Sequence, residues 1–318
     1  LFEWACQYWL KLLNCRMIKI PPYLKKGDTI GIVCPSGTLT AKKAATCIST
    51  LEAWGYKVKI GKTLGTQHHY FSATDEARAA DMQDMLDDKK VQAVLCGRGG
   101  YGMSRIIDLL DFKKFTKHPK WVIGFSDITL LHNHCTEVLK TASLHAPMAA
   151  AFNNGQSNNE WVLSLKNALQ GKKANYKAAP HALNRIGKTK GKLVGGNLTL
   201  VAHAIGSVSS LKTKNTILFL EDIGEYKYNI DRMMLQLKRS GMLKNLAGLI
   251  VGGFTQTKDS DPAFGATAYE IIQAAVAEYN YPVCYDFPVS HDKENYALKH
   301  GIEYALEVTA KKVNLKEV

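Results

Sequence analysis

The sequence predicts an α/β protein of two domains, the first built on a mainly parallel sheet of the flavodoxin-like or Rossmann-like kind. Three observations predict it. From Thr29 to Leu139, short apolar runs alternate with segments of helical period, the pattern of successive βα units. A basic stretch rich in Ala, Asn and Pro, Gly171–Lys190, then interrupts with no period of its own. Beyond it the alternation resumes, and residues 296–316 end the chain on alternating apolar and polar positions that read as a β-hairpin or small sheet. A chain of 318 residues can bury two cores. The expected boundaries are an extension over 1–16, a first domain over 17–170, a linker over 171–190 and a second domain over 191–318.

Each element has its own signal. Thr29–Cys34 is a compact apolar strand ending in Pro-Ser-Gly, and Thr40–Trp54 follows with helical spacing until Gly55 stops it. Tyr56–Ile60 reads as a second strand. Thr74 is a candidate cap for a helix over 75–87. Val91–Cys96 is a third strand, followed by Gly97-Arg98-Gly99-Gly100-Tyr101-Gly102 and a helix to Leu110. Trp121–Ile123 is a fourth strand, leading through Gly124-Phe125-Ser126-Asp127 into a helix over Ile128–Leu139, and Trp161–Leu169 is a further helix. In the second half, Asn197 precedes a helix and Thr216–Leu220 is a strand ending in Glu221-Asp222. A helix over Ile230–Arg239, a strand over Leu246–Val251, a helix over Thr267–Glu278 and a strand over Pro282–Phe287 lead to Pro288-Val289-Ser290-His291.

Composition narrows the function classes. Hydrophobic content of 46% and charged content of 22% suit an ordinary soluble globular protein, and no run approaches a membrane span. The net charge is +13, but its lysines are scattered in pairs rather than gathered with aromatics. This favours a small anionic substrate over nucleic acid. Seven cysteines, an odd number with no Cys-x-x-Cys, argue for a reducing cytoplasm and against a disulfide framework. Residues 1–16 lack a basic start and a small-residue cleavage site, so they read as a translated upstream extension rather than a signal peptide, with an interfacial helix as the minor alternative.

The chemistry gathers at strand ends, where ligands of open parallel sheets bind. Gly124-Phe125-Ser126-Asp127 has the layout of a nucleophile elbow: a buried strand, a sharp turn, and a serine at the start of a helix whose free N–H groups can stabilise an oxyanion. It lacks the last glycine of the usual motif, and a plain helix cap is the competing reading. Gly97-x-Gly99-x-x-Gly102 literally matches a dinucleotide fingerprint, which would make the protein an oxidoreductase. Against that, the loop follows the third strand, the next strand ends in serine rather than an acidic ribose ligand, and Tyr101 is bulky for a pyrophosphate turn. Backbone N–H groups aimed at an oxyanion are the better use of the loop. His132 and His134 are two apart on a helix and His68-His69 lies in a loop, so neither pair has metal-ligand spacing. A serine needs a base and the base an orienting carboxylate. His291 follows a strand, with Asp292 and Glu294 nearby, and Glu221 and Asp222 end another strand.

Taken as an ordered set, these stretches resemble the LD-carboxypeptidase family of serine peptidases, which also contains the microcin C self-immunity proteins. The resemblance runs from about Lys25 to Gly301. It includes Gly27-Asp-Thr-Ile-Gly-Ile-Val-Cys-Pro-Ser36, Arg98-Gly-Gly-Tyr-Gly102, Ile123-Gly-Phe-Ser-Asp-Ile-Thr129, Gly195-Gly-Asn-Leu198, Leu220-Glu-Asp-Ile223, Tyr228-Asn-Ile-Asp-Arg232 and Phe287-Pro-Val-Ser-His291. One departure stands out: Ser290 precedes the histidine where the family usually has glycine. The resemblance implies a Ser-Glu-His triad of Ser126 as nucleophile, Glu221 as orienting carboxylate and His291 as general base. It also implies an oxyanion hole from the backbone amides of Gly100 and Asp127, and substrate contacts from Gly99, Tyr101 and Asn197. It further implies a smaller, mixed C-terminal α/β domain, an active site between the domains and a homodimer.

The implied reaction is metal-independent and needs no cofactor: hydrolysis of the L,D-amide that holds the terminal D-alanine of cytoplasmic murein tetrapeptides, in peptidoglycan recycling. The alternatives are an immunity hydrolase of aminoacyl-nucleotide analogues, the dinucleotide-binding oxidoreductase, and a binding protein that has lost activity. Neither a nucleic-acid nor a membrane partner is expected.

Overall fold

The computed structural model describes residues 17–318, and the expectations for residues 1–16 lie outside the described residues. The first half runs β1 (Thr29–Val33), α1 (Ala41–Ala53), β2 (Lys57–Ile60), α2 (Asp75–Asp87), β3 (Val91–Cys96), α3 (Met103–Ile106), α4 (Lys113–Lys117), β4 (Trp121–Gly124), α5 (Thr129–Glu137), β5 (Ser143–His145) and α6 (Glu160–Leu169). The second runs β6 (Asn175–Ala178), β7 (Gly187–Asn197), α7 (Leu198–His203), β8 (Thr216–Ile223), α8 (Lys227–Arg239), β9 (Gly248–Thr255), α9 (Ala268–Ala275), β10 (Val283–Cys284), β11 (Leu298–His300), β12 (Glu303–Val308) and β13 (Val313–Glu317).

Local chemistry sets these boundaries. Thr40 and Thr74 cap α1 and α2, their hydroxyls accepting from Lys43 N–H and Ala77 N–H. Along α1 the buried residues Ala44, Cys47 and Leu51 recur at three and four, giving one face to the sheet. Thr267 and Glu270 form a reciprocal capping box at α9.

The first sheet has the order β11-β5-β4-β3-β1-β2 among the described residues. Its pairs are parallel except β5 with β11. The sequence 2-1-3-4-5 is the doubly wound, flavodoxin-like order. Both faces are covered: α1 and α6 contribute to one apolar layer with Ile30, Ile32 and Trp121, and α2, α3 and α5 contribute to the other with Val33 and Val94. Burying each large side chain of this kind contributes about 1.5–3 kcal/mol. The second sheet, β10-β9-β8-β7-β12-β13-β6, is parallel from β7 to β10 and antiparallel from β7 to β6. The protein is thus a two-sheet α/β structure with a mixed second sheet.

Several elements differ from the sequence expectation. The segment 171–190 holds β6 and the start of β7. Lys188, Lys190 and Lys192 alternate with Gly187, Thr189 and Gly191, so neither face of this strand is apolar enough to announce itself. The stretch 296–316 is not one hairpin: β12 and β13 form it, while β11 crosses back to pair with β5 of the first sheet. The strand expected over Pro282–Phe287 is reduced to Val283–Cys284.

A buried ion pair joins the sheets. Lys299 on β11 places Nζ 2.9 and 3.0 Å from the Glu317 carboxylate on β13. The remaining donors and acceptors are also matched, with Lys299 donating to Lys172 O at 3.2 Å and Glu317 accepting Ala174 N–H at 3.0 Å.

Candidate active site

The elbow follows from β4. All four residues of Trp121–Gly124 are buried, so the strand delivers Ser126 at the carboxyl edge of the sheet. Ser126 has φ +63°, a left-handed conformation rare for a residue with a side chain. Holding it there costs on the order of 1–3 kcal/mol, and such cost is found where a side chain must be aimed. A short tight turn, Ser126–Ile128, leads into α5. His132 on α5 supports the strand end: its Nε2–H donates to Gly124 O at 2.8 Å, so its Nδ1 accepts the Ser143 hydroxyl at 2.8 Å. Burial pulls the His132 pKa down to about 4, keeping it neutral.

Two polar groups from distant segments line up behind this serine. His291 Nε2 lies 2.9 Å from Ser126 Oγ, and His291 Nδ1 lies 2.5 Å from Glu221 Oε2. Glu221 is fully buried near the carboxyl end of β8. With Glu221 ionised and accepting, Nδ1 carries the proton and Nε2 is free to accept one from Oγ. Burial raises the Glu221 pKa, against the lowering effect of His291. For His291, burial works against the charged form, yet the Glu221 carboxylate, backed by Asp222 and Asp292, carries the net shift above the ordinary histidine value. Phe125 covers the imidazole edge-on at 4.9 Å. Such a chain can draw a proton from Oγ and return it to a leaving amine.

The loop carrying His291 rests on β9. A Cβ at Gly253 would lie 2.6 Å from Ser290 Cβ, so only glycine lets the loop approach this closely. Ser290 itself is buried, and its φ is not positive. Its hydroxyl donates to Glu294 O and accepts Asp292 N–H, both at 3.0 Å, closing the turn. A serine before the histidine therefore fits this backbone.

The glycine loop after β3 packs on the serine. A Cβ at Gly99 would lie 2.9 Å from Ser126 Cβ and 3.0 Å from Oγ. Neither Gly100 N–H nor Asp127 N–H has an intramolecular partner among the described residues, so both remain available to a developing oxyanion. Tyr101 stands 45% exposed at the loop's tip, open to a ligand. Asn197 is placed differently from the expected substrate contact. It is buried; its Oδ1 caps α7 through Leu200 N–H at 3.2 Å, and its Nδ2 donates to Asp222 Oδ1 at 2.8 Å. It pairs in register with Glu221 and braces the carboxylates from below.

Several supporting side-chain contacts carried no signal of their own in the sequence. The Asp127 carboxylate, fully buried, accepts Ser36 Oγ–H at 2.5 Å and Met103 N–H at 2.8 Å. Burial raises its pKa against those two donors. Arg78, also fully buried, donates to Pro35 O and, at 3.0 Å, to Gly102 O. His145 meets Asn295, beyond the His291 turn, at 3.2 Å. None of these contacts follows a periodic pattern, because each joins segments far apart in the sequence. Cavities of about 650 and 790 Å³ lie at the opposite edge of the first sheet and on α8, and neither is lined by Ser126, Glu221 or His291.

Comparison with known proteins places the chain in a family. Residues 30–146 match the model of the LD-carboxypeptidase N-terminal domain, and residues 190–306 that of the LD-carboxypeptidase C-terminal domain. The chain is 33% identical to a Bacillus subtilis (strain 168) protein named "Probable murein peptide carboxypeptidase", over 92% of each chain. It is 26% identical to the murein tetrapeptide carboxypeptidase of Pseudomonas aeruginosa, over 87% of this chain and 92% of that one. Among solved structures, the muramoyltetrapeptide carboxypeptidase of Oxalobacter formigenes superposes with TM-score 0.83 at 29% identity, over 91% of this chain and 98% of that one. The microcin C7 self immunity protein MccF superposes equally well, with TM-score 0.83 over 95% and 99%, but at 21% identity it shares the fold alone. With both domain models matched in order across the two sheets that meet at Ser126, the chain belongs to the LD-carboxypeptidase family.

Proposed function

We propose that this protein is a serine-type LD-carboxypeptidase that removes the terminal D-alanine from murein tetrapeptides. Ser126 Oγ attacks the scissile carbonyl as His291 Nε2 takes its proton. Glu221 holds the imidazole in the reacting tautomer and stabilises the imidazolium. The N–H groups of Gly100 and Asp127 receive the oxyanion, and Gly99 and Tyr101 line the approach. His291 then protonates the leaving amine, and water releases the acyl group by the same route in reverse. No step calls on a metal or cofactor.

The observation that carries this reading is His291, in hydrogen-bond reach of both Ser126 and Glu221. The relatives named for murein peptides supply the substrate. Seven cysteines without a Cys-x-x-Cys suit a reducing compartment, so we place the protein in the cytoplasm, in peptidoglycan recycling. The family resemblance adds a homodimer. Among the described residues, no helix is long and apolar enough to cross a membrane.

The test is incubation with L-Ala-D-Glu-diaminopimelate-D-Ala, with and without chelator. Free D-alanine at equal rates is expected. No release, or release abolished by chelator, would sink the proposal. Cleavage of an aminoacyl sulfamoyl adenosine instead would point to the immunity reaction.

A further inference from the structure

We infer that Arg98 reads the free carboxylate of the leaving residue, in a crevice between the loops that follow β1 and β3. This rests on the proposed carboxypeptidase reaction and assigns a subsite to it.

The topology places the crevice. In the order β2-β1-β3-β4-β5, the chain leaves β1 towards β2 on one side and β3 towards β4 on the other. The loops after β1 and β3 therefore head to opposite sides, where doubly wound sheets bind ligands, and Gly37 N–H donating to Gly99 O at 3.0 Å ties them together. A cavity of about 270 Å³ lies there, lined by Thr38 after β1, by Gln67, His69 and Tyr70 after β2, and by Arg98 and Gly100 after β3. Its lining holds no carboxylate. It suits one small residue rather than a larger ligand, whose pockets begin near about 300 Å³.

Arg98 is prepared for an anion. Its Nη1 donates to Thr38 O at 2.9 Å, which fixes one edge of the guanidinium. Among the described residues it has no acidic partner. The planar fork matches a carboxylate with two parallel donors.

Bond geometry supplies the distance. In a C-terminal residue, three bonds of about 1.3–1.5 Å separate the scissile carbonyl carbon from the carboxylate carbon, so the two lie within about 4 Å. Whatever reads that carboxylate must sit beside the oxyanion hole. Gly100 belongs to both places: its N–H, without an intramolecular partner among the described residues, is the proposed oxyanion donor, and Gly100 lines the cavity. Near His291 the charge of Asp292, with that of the buried Asp222 behind it, repels a second carboxylate. An enzyme that cuts within chains needs no such cation, whereas one that removes a terminal residue does.

The test compares the tetrapeptide acid with the same peptide ended in a carboxamide, using the full chain, R98Q and R98K. Wild type is expected to favour the acid in kcat/KM by about 10- to 100-fold, the range of a charge-assisted contact. R98Q should bring the acid-to-amide ratio close to one, by loss on the acid, mainly in KM, and R98K should restore part of it. Amide turnover by R98Q also reports that the variant is folded. A wild type that does not discriminate, or an R98Q ratio equal to wild type, overturns the subsite and leaves the carboxypeptidase reading standing. A wild type that cleaves neither peptide overturns both.

Discussion

Ser36 donates its hydroxyl to the Asp127 carboxylate at 2.5 Å, tying the loop after β1 to the elbow after β4. Met103 N–H reaches the same oxygen from the loop after β3. One buried carboxylate thus holds together the three loops that surround Ser126. Replacing it by alanine leaves two buried donors without an acceptor. Asp127→Ala is expected to lower stability by about 2–4 kcal/mol in denaturant unfolding. As the glycine loop shifts, kcat should fall by about 100-fold. Asp127→Asn, keeping one oxygen, should lie between. Wild-type kcat in the alanine variant would show that the brace does not position the loop.

The left-handed serine separates stability from activity. Ser126→Ala should abolish turnover, by about 10⁴-fold or more, while unfolding at nearly the wild-type denaturant concentration. Ser126→Gly should be equally inactive yet more stable, by about 1 kcal/mol, because glycine adopts φ +63° without strain. Thermal melts of the three proteins check this, and equal melting points would mean the turn is not strained.

The pH profile follows from His291. As the proposed base, His291 must be neutral to accept a proton, and the Glu221 carboxylate holds its pKa above the ordinary value of 6.5 against burial. The rate kcat/KM should therefore fall as pH drops through a midpoint above 6.5. Glu221→Gln removes the charge that raises it, so the midpoint should move down, with kcat reduced by about 10⁴-fold. A profile that keeps its midpoint in that variant would show that another group titrates.

The Lys299–Glu317 pair bears on the assembly of the two sheets. Its side chains are 1% and 5% exposed. Glu317→Gln leaves a buried ammonium without its counter-charge and should cost about 3–5 kcal/mol. Replacing both, Lys299→Met with Glu317→Leu, should recover most of that loss. Urea midpoints of the single and double variants test it, and equal losses in the two would count against a paired charge.

Much of the first sheet was legible in the sequence, because β1, β3 and β4 are apolar runs separated by capped helices with one buried face. The ordered motifs also marked Ser126, Glu221 and His291, whose meeting across 70 and 165 residues no spacing could establish. The lysine-rich half of β7 hid its strand, since its stability comes from pairing with β12 and not from an apolar face. The reach of β11 back to β5 was equally hidden, because three residues carry no period. Ser36, Arg78 and Gly253 support the site through contacts between segments distant in sequence, and such contacts leave no repeat to read.

The return of β11 has a consequence for synthesis. Leu298 pairs with His145, so the first sheet lacks an edge until nearly all of this sequence has left the ribosome. Ser126 can reach its elbow early, but its proposed base His291 lies only a few residues before that closing strand. A nascent chain therefore carries Ser126 without its proposed base, and the site is complete only once Glu221 and the His291 loop have been made and brought to it.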